Sequence, residues 1–433
     1  MDPIVVAVLG VLFMFVLILL QVPIGMAMAA TGVIGFGILQ GFAPAFTIIA
    51  TEASVTISNA DLAVIPLFLL MGNFATVGGL STDIYNLAYA FLGHRKGGLA
   101  LSTIAGCGFF GAVCGSSTAT AATFGKVALP EMLNRKYAPH FAAGCIAAGG
   151  TLGSLIPPSV ILIVYAVMAE EFIITLFIAA IIPGIISIGV YFIAIMIYLR
   201  INPKAGPPGP RMSWPNRFRT ILRCWGVILI LLVVVGGIYG GVFTVTEAAA
   251  FGTVLTFLFA LGRKKLNLKL FWEALTGTAL STAMIYGIII GANIMTYFIT
   301  VTRMPDEVVQ VISGLQLPTF MILTILLFVY LLLGSIFDTV AAMLITLPFV
   351  LPLITSLGYS PIWWGIVNVV VIEIGMITPP IGLNVFVLHG VAPDLSLSMI
   401  FRGIVPFLLA DIGRLIILVA FPILILWLPN LLG

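Results

Sequence analysis

Two clusters of polar residues lie inside otherwise apolar sequence, and their residue types suit the coordination of a small hard cation. The first is Gly115-Ser116-Ser117-Thr118 and the second runs from Ser335 through Asp338-Thr339. Hydroxyl, carbonyl and carboxylate oxygens are what Na⁺ and similar ions accept, and opposed helix ends supply the carbonyls. Helix N-termini at the same place offer amide donors to an anionic group. Each cluster is followed by a Leu-Pro pair, Leu129-Pro130 or Leu351-Pro352. A double proline comes next, in Gly153-Ser154-Leu155-Ile156-Pro157-Pro158 and Gly375-Met376-Ile377-Thr378-Pro379-Pro380. Ser116 and Asp338, Pro130 and Pro352, Gly153 and Gly375, and Pro157 and Pro379 are each 222 positions apart. The chain carries one pattern twice.

Each double proline removes two amide donors and clashes with preceding carbonyls, so a helix must break there. The carbonyls freed around Pro157 and Pro379 join Ser116, Ser117, Thr118, Asp338 and Thr339 as candidate cation ligands. Asp338 is the sharpest of these, because an ionisable group in apolar surroundings is a functional candidate by default. The competing reading makes it a carboxylate held structurally by backbone amides. Asn73, Ser159, Asn293, Thr378 and Asn384 are candidates for lining a substrate space. Asn73 and Asn293 stand 220 apart and could equally bond helix to helix, as Ser, Thr and Gly could simply pack helices closely. Glu373 could bind a cation or proton, or pair within the bundle. Thr244-Val245-Thr246-Glu247 reads as a capping box that opens a helix. Glu52 and Glu131 are expected at interfaces.

Enzyme chemistry finds no support. His94, His140 and His389 lack metal-ligand spacing, and Cys107, Cys114, Cys145 and Cys224 read as apolar packing residues. No Gly-rich loop with a lysine is present, so ATP-driven work within this chain is unsupported.

The elements that must position these residues follow from composition. The chain is 61% hydrophobic and 8% charged, against roughly 25% charged in a soluble domain, with mean hydropathy +1.26. Apolar runs at 5–20, 173–199, 227–245 and 317–333 are of bilayer-spanning length. An all-α polytopic membrane protein follows. A β-barrel is excluded, because its strands would alternate polar and apolar residues. Met1-Asp2-Pro3 has no basic region before its apolar run and reads as the start of a first transmembrane helix. The net charge of +3 does not suggest nucleic-acid binding. Residues 1–199 form a first transmembrane half, 200–223 a basic, proline-rich linker, and 224–433 a second half.

Lysine and arginine gather at Arg95-Lys96, Arg135-Lys136, the linker, and Arg263-Lys264-Lys265, which the positive-inside rule assigns to the cytoplasm. Residues 97–134 then leave and return to one side, a re-entrant hairpin whose tip is the first polar cluster. The matching hairpin, 316–358, contains no lysine or arginine, so its base belongs on the opposite face. The two halves are expected to be inverted repeats, each with a re-entrant hairpin and a Pro-Pro-broken helix. Counting onward places Glu170-Glu171 and residues 239–246 outside, with Arg303 as an exception, and gives roughly ten spans plus two hairpins with both termini outside. Paired, interrupted helices in two halves of a membrane protein point to a transporter's binding site.

Four stretches carry a resemblance to the large membrane subunit of tripartite ATP-independent periplasmic (TRAP) transporters: 115–132, 149–159, 240–250 and 375–384. The resemblance extends over essentially the whole chain. It implies Na⁺-coupled uptake of a small organic acid across a bacterial inner membrane by an elevator mechanism. It also implies two partners, a small four-helix membrane subunit and a periplasmic substrate-binding protein. Some members fuse the small subunit at the N-terminus, and here a separate subunit is expected. The alternative is a self-sufficient Na⁺/dicarboxylate symporter of similar inverted-repeat fold.

Overall fold

A computed structural model describes residues 2–432, and every regular element among them is helical. In hydrocarbon each backbone N–H and C=O must be satisfied internally, and helices do this within a single segment. Six helices are long and apolar enough to cross a bilayer, rising to nine if three bent pairs each count as one span. The roughly ten spans read from the sequence also drew on shorter apolar helices. Pro3–Leu19, Ile24–Gln40 and Phe42–Ser58 have 17 residues each. Gly41 adopts φ +98° between the last two, a conformation open to glycine that ends one helix and starts the next.

The first polar cluster joins helices Gly98–Cys114 and Ser117–Asn134, and the second joins Thr319–Ile336 and Thr339–Ser356. The two hairpins are packed unequally. Every residue of Gly98–Cys114 except Phe109 is buried. Thr319–Ile336 instead exposes large apolar side chains, among them Phe320, Ile325 and Phe328. The double prolines break two further helices. Pro139–Leu155 resumes as Val160–Met168 after a 41° bend, and Pro361–Gly375 resumes as Leu383–Val391. Both Pro-Pro bonds are cis.

Close packing in the first half depends on Gly153. A Cβ there would lie 2.5 Å from Thr120 Oγ1 and 2.6 Å from the Ser116 carbonyl oxygen. Absence of a side chain lets the broken helix support the hairpin tip directly, as small residues do between membrane helices. A buried ionic network joins three further elements. Asp411 and Arg414, on helix Leu397–Ala420, pair at 2.8 Å. From helix Ile173–Ile201, Tyr191 donates to Asp411 Oδ2 at 2.8 Å and Ser187 accepts from Arg414 at 2.6 Å. Thr151 of the first broken helix lies 3.0 Å from the Tyr191 hydroxyl.

The linker is more ordered than its prolines suggest. Trp214–Arg223 is an amphipathic helix with Pro215 in its first turn, where the missing amide costs nothing. The preceding segment is bonded to the base of the first hairpin: Gly97 donates to the Gly206 carbonyl and Ala138 to the Ala205 carbonyl, each at 3.0 Å. Arg263 reaches the Arg223 carbonyl at 3.4 Å and pairs with Asp83 at 2.6 Å. All four basic groups are therefore chained together on one face. The capping box is present as read, with Thr244 and Glu247 satisfying each other's amides at 2.8 and 3.2 Å.

Candidate ion and substrate site

The two hairpin tips meet. Gly115, Ser116, Ser117 and Thr118 line the same cavity as Asp338, Thr339 and Val340, and its volume is about 160 Å³. Each tip is built in the same way. A helix ends, and the next opens with a side chain that caps it. Ser116 Oγ accepts from the Ala119 amide at 3.4 Å and Asp338 Oδ1 from the Ala341 amide at 2.8 Å. In each half the second residue after the Pro-Pro pair bonds back to its own tip. Val160 donates to the Gly115 carbonyl at 3.4 Å, and Gly382 to the Ser335 carbonyl at 3.1 Å.

Met376 joins the tips, with the Ser117 hydroxyl 3.5 Å and the Thr339 hydroxyl 2.8 Å from its sulfur. The hydroxyls of Ser116 and Thr118 are 3.3 Å apart. Three helices, Ser117–Asn134, Thr339–Ser356 and Val160–Met168, start at this cavity, so their positive dipole ends favour an anion there. Helices Gly98–Cys114 and Thr319–Ile336 end beside it and bring free carbonyls, which favour a cation. One small volume thus offers donors for a carboxylate and oxygen ligands for a hard cation.

Behind Thr339 lies Glu373, only 1% exposed. Its Oε1 accepts from the Thr339 hydroxyl at 2.9 Å, and its Oε2 has no hydrogen-bond partner. Its counterpart 222 residues earlier is the neutral Thr151, as the counterpart of Asp338 is Ser116. The acidic charge near the site thus comes from the second half alone.

Of the proposed substrate-lining residues, Asn384 bonds to the first tip, though it does not line the cavity itself. It is fully buried, accepts from the Ser117 hydroxyl at 3.5 Å and donates to the Ala147 carbonyl at 3.4 Å, so it ties the second half to the first. Ser159 and Thr378 do not line the cavity. Ser159 caps Val160–Met168 and donates to the Ser154 carbonyl, and Thr378 donates to the Ile374 carbonyl at 2.6 Å. Pro157 is buried and Pro379 is exposed, and neither reaches the cavity wall.

Asn73 and Asn293 lie away from the tip cavity. Asn73 donates to Thr278 Oγ1 at 2.8 Å and so joins helix Val64–Gly78 to the long helix Leu268–Thr302. Asn293 donates to Glu52 at 3.1 Å in a separate cavity of about 660 Å³ that also holds Tyr297, Glu170 and Arg303. Both amides are half-buried and find their partners on neighbouring helices. Ser281, Met284 and Ile285 close the tip cavity from the long helix and were missed. Their i, i+3, i+4 spacing marks one helix face, but a single serine in an apolar helix is a weak signal.

The sequence profile described as the tripartite ATP-independent periplasmic transporter, DctM component, matches residues 11–424. The chain belongs to this family. It is a TRAP transporter large permease, a transport component and not an enzyme, and a multi-pass membrane protein. It is 36% identical over 389 residues to the C4-dicarboxylate TRAP transporter large permease protein DctM of Pseudomonas aeruginosa, covering 89% of this chain and 90% of that one. It is 31% identical to the isethionate TRAP transporter permease protein DctMQ of Oleidesulfovibrio alaskensis, across 94% of this chain and 64% of that longer one. The crystal structure of the Alcanivorax borkumensis YdaH transporter superposes with a TM-score of 0.61 over 97% of this chain and 98% of that chain. At 13% identity it speaks for the fold alone.

Proposed function

We propose that this permease couples Na⁺ entry to the uptake of a small organic acid across a bacterial inner membrane. The observation that carries the reading is the shared cavity. Two tips 222 residues apart bring Ser116, Ser117, Thr118, Thr339 and Asp338 to one place, where helix N-termini and C-termini also converge. Na⁺ takes the oxygens, and the substrate carboxylate takes the amide ends. The relatives' printed substrates, C4-dicarboxylate and isethionate, are both small anions.

The cavity has room for roughly five waters at about 30 Å³ each. Small-molecule pockets usually measure about 300–1,000 Å³. Ser281, Met284 and Ile285 wall the cavity from the long helix, and in an elevator the hairpins and broken helices would carry the tips past them. The inverted arrangement of the halves has support from contacts. The first hairpin's base touches the basic linker, whereas Leu347 to Pro352 of the second hairpin line the cavity of Glu170 and Arg303. The face with the linker is then cytoplasmic, and the larger cavity is the periplasmic approach.

Two partners complete the assembly, a small four-helix membrane subunit and a periplasmic binding protein that delivers the substrate. The test is uptake into proteoliposomes holding both membrane subunits under an inward Na⁺ gradient. Uptake is expected only when the loaded binding protein is added outside. Equal uptake of the free acid by this chain alone would establish a self-sufficient symporter instead.

A further inference from the structure

Away from the tips lies a groove of about 1,260 Å³ between helices Ile173–Ile201 and Leu397–Ala420. Its wall is apolar along most of its length. Ile193, Ile197, Val405 and Leu409 are all more than half exposed, and Gly413 leaves open space where a Cβ would sit. At one end the lining turns polar and cationic, with Lys204, Arg402 and His140. His140 Nε2 lies 2.9 Å from the Tyr198 hydroxyl. No carboxylate lines the groove among the described residues. Arg414 contributes to its wall, but Asp411 neutralises that charge. Neither Lys204 nor Arg402 forms an ion pair among the described residues.

We infer that this groove is a binding site for an anionic phospholipid, with its acyl chain along the apolar wall and its headgroup phosphate at Lys204 and Arg402. The charge distribution selects this occupant. An apolar trough at membrane depth admits any lipid tail, but an unneutralised cationic end at the membrane surface favours an anionic headgroup. The end is the same face that carries the linker and the Arg135-Lys136 turn, since Ala138 and Ala205, both lining residues, are bonded to each other there. A transmembrane helix of a partner protein would fill the trough equally well but has no need of the two cations.

The experiment is native mass spectrometry of the transporter, purified with its membrane partner, after titration with phosphatidylglycerol and phosphatidylethanolamine in parallel. Wild type is expected to retain phosphatidylglycerol in preference. The double variant Lys204→Ala/Arg402→Ala is expected to bind it roughly thirtyfold more weakly, from two headgroup contacts of ordinary membrane-surface strength. Lys204→Arg/Arg402→Lys should keep the preference, which separates lost charge from misfolding. Gly413→Phe should block the trough and weaken both lipids. Arg219→Ala, a linker substitution outside the groove, should change neither. Equal retention of the two lipids by wild type, or an undiminished preference in the alanine double variant, would overturn the proposal. So would a photo-crosslinker at Leu409 that captures the partner subunit in place of lipid.

Discussion

Asp338 caps a helix and, in the function proposed above, holds a cation with the same carboxylate. Its Oδ1 accepts the Ala341 amide and caps the helix that follows, yet an ionised carboxylate has about four lone-pair sites, so capping leaves oxygens free for a cation. The two purposes separate by substitution. Asparagine is as good an N-cap as aspartate, so Asp338→Asn should assemble with nearly wild-type thermal stability while losing Na⁺-dependent uptake in proteoliposomes. Asp338→Ala should lose uptake and also about 1 kcal/mol of stability with the cap. Wild-type uptake by Asp338→Asn would remove the charge from the mechanism. The tips were readable because a charged or hydroxyl residue in apolar sequence demands a reason. Ser281 was not, because one serine in a 35-residue apolar helix is also ordinary packing. Asn73 and Asn293 showed in sequence that each needs a partner, but the partner's identity is tertiary information.

The hairpin and the broken helix of each half are in contact, because the tip rests on the break. Gly153 marks that contact in the first half. Gly153→Ala should force the Ser116 carbonyl outward, costing about 1–3 kcal/mol by overpacking and lowering uptake more than stability alone explains. Gly189→Ala, on a helix surface where a new Cβ meets nothing within 4 Å, serves as the matched control and should be neutral. Equal uptake by the two variants would detach the break from the tip. The double prolines made the breaks legible, since no helix continues through them. The linker was legible only in part. Its prolines mark a boundary, while its backbone bonds to the hairpin base depend on two segments about 110 positions apart in sequence, Gly97 and Gly206.

On the scale of the whole molecule, a neutral, hydroxyl-rich tip faces an acidic one across a small volume, and the charge comes from one half only. The sequence repeat predicts that the tips meet, and the fold places both on one cavity wall. What the repeat could not show is the unequal packing of the two hairpins. The first arm of the first hairpin is buried and the first arm of the second faces outward with apolar side chains, a difference that depends on which neighbours each half meets. The central claim is that the joined tips bind Na⁺, and thermal unfolding of the purified transporter in matched NaCl and choline chloride tests it most directly. A ligand that binds only the folded state raises stability with its concentration. Wild type should gain stability in Na⁺ over choline, and Asp338→Asn should lose that gain while matching wild type in choline. Identical unfolding of wild type in the two salts, or a Na⁺ gain that survives in Asp338→Asn, would contradict the account.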